Sequence, residues 1–267
     1  MKDIKISQSL LKSLFNYKKG KECGIVVYEK YVNGLELDPS EAMDLGNWFE
    51  WRCTQQLPRN GKTPESKKTQ KGDLASAYKT MGAQVDNYWR IMKRYDIKSL
   101  HTGYSFTQHP YANGIADMIA EMDNEKVIID IKTSGKIDDR WSEWGWAEEK
   151  FENSDSDIAQ NLTIQAVHYK VLARYEWGIA NMPFYFLVFS QSDEISCKIY
   201  RVNVDDERLD KHDQQITAAY QYVNKIFNNP KMEKLAMPEY KRCYECSLKA
   251  NCQHKIDVPL IKDIYVY

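Results

Sequence analysis

Apolar positions in the first third of the chain recur every three or four residues, the spacing of a helix with one buried face. "QSLLKSLFNYKK" predicts a first helix that Ser7 can cap and that fades at Gly20. "DPSEAMDLGNWFEWRCTQQL" predicts a second, with Asp38 as N-cap, Pro39 at the first helical position and Glu41 at capping-box spacing. A long helix follows over roughly Asp73 to Tyr95, after the polar, lysine-rich connection "NGKTPESKKTQKG". Beyond Lys98 the period changes. "SLHTGYSFTQ", "ANGIADMIAEM" and "EKVIIDIKTS" read as consecutive strands. "IAQNLTIQAVHYKVLARYEWG" returns to helical spacing, "PFYFLVFS" is an apolar run of strand length, and "EISCKIYRV" alternates. "DERLDKHDQQITAAYQYVNKIFNN" is a last helix, ended before Pro230. The expectation is an α/β protein: a helical region over 1–97, a core over 98–230 with a mixed central sheet flanked by helices, and a cysteine-bearing segment over 231–267.

Bulk composition narrows the choices. The chain has 267 residues, 43% of them hydrophobic, enough for a sizeable core. Its formal net charge is −1, so any polyanion site has to be a local patch. No apolar run is long enough to span a bilayer and no signal-peptide pattern opens the chain, so the expected location is the cytoplasm, with no membrane partner. The six cysteines are then expected as reduced thiols or ligands. Three of them, Cys243, Cys246 and Cys252, crowd the C-terminal end.

Two strands carry charges where packing residues belong. If Asp123-Asn124 form the tip of a tight hairpin, Met122 faces Glu125, and counting back places Asp117 opposite Asp130 on one face. Lys132 lies two residues further on, so it shares that face. Opposed carboxylates repel unless a cation neutralises them, and oxygen-only ligands suit Mg²⁺ or Mn²⁺. A lysine beside them can orient an attacking water or stabilise charge on a phosphate. The plainer reading is a cross-strand ion pair between Asp117 and Lys132 on a solvated face. A one-residue change in loop length would separate the two aspartates.

"GIADMI" followed by "VIIDIKTS" resembles the metal-binding core of the PD-(D/E)xK nuclease superfamily, in its RecB-like branch, through Gly114, Asp117, Asp130 and Lys132. The resemblance implies a restriction-endonuclease-like core and a Mg²⁺- or Mn²⁺-dependent deoxyribonuclease, an exonuclease in first preference, acting on DNA in repair, recombination or phage or CRISPR DNA processing. It also implies metal binding by Asp117, Asp130 and the backbone carbonyl of Ile131, with Lys132 acting on the nucleophile or the scissile phosphate. The family's Gln-x-x-x-Tyr is matched by Gln165 and Tyr169, which i, i+4 spacing puts on one helical face to contact substrate. The family's upstream ligand helix is matched by "DLGNWFEW", with Glu50 where many relatives carry His. Glu41 and Asp44 stay open as third-ligand candidates. Phage recombination exonucleases of the RecE kind show a similar "DLG" helix.

The triplet Cys243-x-x-Cys246 with Cys252 resembles the C-terminal cysteines of AddB-type and CRISPR-associated adaptation nucleases, in which a fourth cysteine lies far upstream, as Cys23 does here. This implies a 4Fe–4S cluster that ties the C-terminal segment back onto the N-terminal region. The rival is Zn²⁺ held by Cys243, Cys246, Cys252 and His254. Cys53 and Cys197 lack companions and read as packing residues. Trp141, Trp144 and Trp146 read first as cover for the sheet and second as base-stacking groups. The lysines from Lys62 to Lys71 read as a solvated connection with phosphate contact as the alternative, and His109 has no spacing that demands a metal. No P-loop is present, so a helicase or recombination partner would be a separate chain. The other function class is an inactive DNA-binding or scaffold protein with a structural metal cluster. Polarity, strand preference and oligomeric state have no signature in the sequence.

Overall fold

The computed structural model describes residues 3–36, 40–58, 61–142, 145–151 and 157–235, with Cys243, Cys246, Leu248, Cys252 and Gln253 beyond them. Its elements are helices α1 (Gln8–Lys18), α2 (Gly24–Tyr31), α3 (Glu41–Thr54) and α4 (Ser76–Arg94), then strands β1 (Lys98–Phe106), β2 (Gly114–Met122) and β3 (Glu125–Ser134). A 3₁₀ turn (Glu148–Lys150), α5 (Asp157–Trp177), β4 (Phe184–Ser190), β5 (Cys197–Arg201), α6 (Asp206–Ile226) and α7 (Met232–Leu235) follow.

The five strands lie in the order β1-β2-β3-β4-β5. β1/β2, β2/β3 and β4/β5 are antiparallel, while β3/β4 is parallel. A parallel pair cannot be joined by a tight turn, and the connection between β3 and β4 contains α5. β4 is buried at every position except Tyr185, which explains its unbroken apolar run: both of its faces are covered.

One face of the sheet packs on α3 and α4. Ile129, Ile131, Leu187 and Phe189 meet Phe49, Met81 and Tyr88 there. Phe49 and Phe189 are fully buried with ring centroids 4.9 Å apart, and each contributes about 1.5–3 kcal/mol through apolar burial. On the opposite face, Tyr169 and Phe184 have ring centroids 6.4 Å apart. Gln84 of α4 is fully buried and donates to the carbonyls of Ser190, Asp193 and Ser196, which ties the β4–β5 turn to that helix.

The chain forms two compact units, Pro39–Gln215 and Met1–Asp38 with Ile216–Tyr267. In the latter, Tyr28 meets Phe227 edge-on at 5.7 Å, and the Asn224 side chain bonds both the N–H and the carbonyl of Ile4 at 3.2 and 3.3 Å. Gly24 lies so close to the Leu235 carbonyl that a β-carbon would sit 2.8 Å from it.

Some boundaries differ from expectation. The N-cap of α3 is Ser40, whose hydroxyl accepts the Met43 N–H at 3.3 Å, rather than Asp38. Both are good capping types, and the chain uses the later one; Asp38 and Pro39 lie outside the described residues. α4 begins at Ser76, behind Ala75, which offers no side-chain cap. α2 and α7 carry no sequence signal. Among the described residues, no helix is long and apolar enough to cross a membrane.

Candidate active site

The turn that fixes the site is Asp123-Asn124. Both residues take positive φ, 51° and 60°, as a two-residue hairpin of the twist-matched kind requires. The β2/β3 register is Met122↔Glu125 through Met118↔Ile129, the predicted one. The next step along it holds Asp117 and Asp130. There the Asp117 carboxylate accepts the Ile131 N–H at 2.8 Å.

Asp130 is completely buried. One of its oxygens accepts from the Gln165 amide, and the other is ion-paired with the Lys132 ammonium. The Lys132 side chain keeps 33% exposure, and its ammonium is paired with the buried carboxylate. Glu50 comes from α3 and feels the charges of Asp117, Lys132 and Asp130. Gly114 makes one of these approaches possible, whereas Gly46 lies at ordinary contact distance. A β-carbon on Gly46 would lie 3.4 Å from Thr133 Oγ1, where α3 meets β3. One on Gly114 would lie 2.6 Å from Tyr169 Cε1 and 2.9 Å from Leu172 Cδ1, where α5 meets β2.

Three carboxyl groups thus face one ammonium, leaving two negative charges if all are ionised. The titrations reflect this. Burial first, then Asp117, push Glu50 up to about 8. Burial and then Asp117 push Asp130 up to about 7. Burial raises Asp117 too, opposed by Lys132 and the Ile131 N–H. Burial works to lower Lys132, but Asp130 and Asp117 outweigh it and hold the ammonium above its usual range. A hard divalent cation matches this set in donor type and in charge. Among the described residues, no three His, Cys, Asp or Glu side chains are already gathered as a cage. The Asp117 and Asp130 oxygens are instead engaged by Ile131, Gln165 and Lys132.

The structure therefore brings Glu50, Asp117, Asp130, Ile131, Lys132, Gln165 and Tyr169 together. Tyr169 is 5% exposed, and its phenol donates to the Ile115 carbonyl at 2.6 Å, which ties α5 to the start of β2. Glu41 and Asp44 are engaged by Lys67, at 3.4 and 3.5 Å. His109 is occupied at both nitrogens: Nδ1 accepts the Tyr111 and Ala112 N–H groups, and Nε2 pairs with Asp213 at 2.9 Å.

All six cysteines are unpaired thiols. Cys23 is buried at the start of α2; Cys243, Cys246 and Cys252 are partly exposed, and Cys246 Sγ accepts the Leu248 N–H at 3.4 Å. His254, the zinc alternative's fourth ligand, lies outside the described residues, as does Trp144. Trp146 is buried against Phe186, ring centroids 5.1 Å apart, whereas Trp141 is 78% exposed, so the tryptophans do not share one role. Sequence reading missed Tyr200, one strand beyond Phe186; only the pairing of β4 with β5 reveals it.

No protein-family model and no curated protein matches the chain. Among solved structures it is similar to a candidate exonuclease from Eubacterium rectale, with TM-score 0.59 and 19% identity over 97% of this chain and 93% of that one. SSO0001 aligns at 11% identity and TM-score 0.28 over 92% of this chain and 98% of its own, too weakly to bear on the fold. The first likeness is one of fold. A five-stranded mixed sheet flanked by helices, with a parallel β3-α5-β4 step, is a restriction-endonuclease-like arrangement.

Proposed function

We propose that the chain is a Mg²⁺- or Mn²⁺-dependent deoxyribonuclease of the PD-(D/E)xK superfamily, RecB-like branch, and an exonuclease. The observation that carries this is Asp130 paired with Lys132, with Glu50 and Asp117 within electrostatic reach of both. The fold shared with the Eubacterium rectale protein supports it.

Glu50, Asp117, Asp130 and the Ile131 carbonyl would hold the ion, which supplies Lewis acidity and a more acidic bound water. The residues do the rest. Gln165 fixes the Asp130 carboxylate. The Lys132 ammonium, paired with Asp130, donates to the attacking water or to the phosphate oxygen on which charge develops. Water adds to phosphorus and gives its proton to a carboxylate of the cluster, and the bond to the leaving oxygen breaks as that oxygen takes a proton from solvent. Tyr169 and Gly114 hold β2 against α5 so that Asp117 keeps its place.

Cys23, Cys243, Cys246 and Cys252 are proposed to hold a 4Fe–4S cluster. All four belong to one compact unit, and Gly24, next to Cys23, abuts Leu235, eight residues before Cys243. Iron and sulfide content with absorbance in the blue separates this from zinc. A helicase or recombination partner on another chain fits the same reading.

The deciding assay is degradation of labelled DNA with Mg²⁺ or Mn²⁺. Wild type should cut, and Asp130→Ala and Lys132→Ala should each lose about 100-fold or more. Folded wild type that leaves DNA intact with either ion, yet binds it, would make the chain a DNA-binding scaffold.

A further inference from the structure

A cavity of about 350 Å³ lies on the sheet face that carries Asp130, lined by Phe186 and Tyr200 and by none of the three acids. Its place follows from the register. Asp130 pairs with Phe186 across β3/β4, and Phe186 pairs with Tyr200 across β4/β5. Paired residues point to one face, and neighbouring strands lie about 4.8 Å apart, so the Tyr200 backbone is about 10 Å from that of Asp130.

The floor of the cavity is aromatic. Trp146 meets Phe186 at 5.1 Å and Tyr200 at 5.9 Å, the latter with planes 30° apart, and Phe151 meets Tyr200 at 5.3 Å. Trp146 is held in position because its carbonyl accepts the Tyr200 hydroxyl and, at 3.3 Å, the Lys198 ammonium. Phe151 and Tyr200 are half-buried, so part of the aromatic surface faces the opening. Thr163 of α5 and Arg208 of α6 complete the walls. Asp205 on the rim is committed to capping α6, accepting the Arg208 N–H at 2.7 Å.

We propose that this cavity takes the unpaired base of the nucleotide adjoining the phosphate that Lys132 contacts beside Asp130. The partly open Tyr200 and Phe151 rings stack on the base, and Arg208 faces its anionic backbone. A base inside a duplex has both faces covered by its neighbours, whereas one turned out of a single strand or a frayed end offers a face to aromatic side chains. The cavity's place in the row Asp130–Phe186–Tyr200, with a cationic wall, favours a nucleotide over an apolar ligand. The proposal rests on the nuclease reading of the Asp130 site and adds to it a substrate form: DNA with an unpaired end.

The test is binding without cleavage, in EDTA. Fluorescence anisotropy is read for a labelled single-stranded DNA, for the same strand with one abasic residue placed at each position in turn, and for a blunt duplex. Wild type should bind the intact strand about tenfold more tightly than one of the abasic strands. Phe151→Ala should lose that discrimination while binding the blunt duplex as wild type does. Phe151→Leu, which keeps a branched apolar side chain without the ring, should behave alike, and unchanged duplex binding by both variants excludes a folding defect. Arg208→Ala should lower the salt dependence of binding by about one phosphate contact. Equal wild-type affinity for intact and every abasic strand, or undiminished discrimination in both Phe151 variants, would overturn the proposal. A protein that shows the base effect but never cuts DNA overturns the nuclease reading alone; one that cuts but ignores the missing base overturns this proposal alone.

Discussion

Protons and a divalent cation compete for the same carboxylates, which makes metal affinity steeply pH-dependent. Glu50 titrates at about 8 and Asp130 at about 7. At pH 6 both carry protons that an ion must displace. Treated as separate sites, they reduce the apparent affinity roughly 1000-fold at pH 6 but only about twofold at pH 8, a rise of roughly 500-fold. Asp117, also raised, steepens this further. Glu50→Gln removes the larger share and leaves a rise of roughly tenfold, because burial and Asp117 still raise Asp130. Titration calorimetry with Mn²⁺ at pH 6 to 9, in buffers of different ionisation enthalpy, reads both affinity and proton release. Release should approach two protons at pH 6 and fall close to none at pH 9. The sign for stability is the reverse. These carboxyls have folded pKa values above their unfolded ones, so the folded state keeps protons the unfolded chain has lost. In EDTA, stability therefore falls as pH rises from about 4 through 8. A pH-independent affinity, or a Glu50→Gln variant with an unchanged pH profile, would refute the reasoning.

Three substitutions probe the scaffold. Gly114→Ala puts a β-carbon 2.6 Å from Tyr169 Cε1 and should lower stability by about 1–3 kcal/mol in denaturant melts, together with activity. Tyr169→Phe removes the hydrogen bond to the Ile115 carbonyl; it should lower stability by about 1 kcal/mol, and a loss of DNA affinity with unchanged stability would assign the tyrosine a substrate-facing role. Gln84→Leu leaves the Ser190, Asp193 and Ser196 carbonyls short of a donor and should lower stability by about 1–3 kcal/mol in denaturant melts while metal binding stays unchanged.

The hairpin was legible because its two signals agree: a turn pair that tolerates positive φ, and apolar runs whose alternation fixes the face of every residue. That alone places Asp117 near Asp130. Glu50 was legible only through resemblance, since nothing local says which acid on α3 turns toward the sheet; Phe49 packing on Phe189 and Gly46 lying against Thr133 decide it. α2 escaped notice because "GIVVY" is rich in β-branched residues, and the burial of Ile25 and Val27 overrides that preference. The start of α3 could not be read because Asp38 and Ser40 are equivalent caps by type. The aromatic cavity was out of reach, since Asp130, Phe186 and Tyr200 become neighbours only once the strand order is known. Trp141 and Trp146 illustrate the same gap: one stretch holds an exposed and a buried tryptophan, and no periodicity separates them.

The central claim, that Asp117 and Asp130 trap a hard cation beside Lys132, is tested most directly by a crystal structure of the protein soaked in Mn²⁺. The account predicts an anomalous peak about 2.1 Å from oxygens of both aspartates, with Glu50 turned toward it. An ion bound elsewhere, with Asp130 still tied to Gln165 and Lys132, would contradict it.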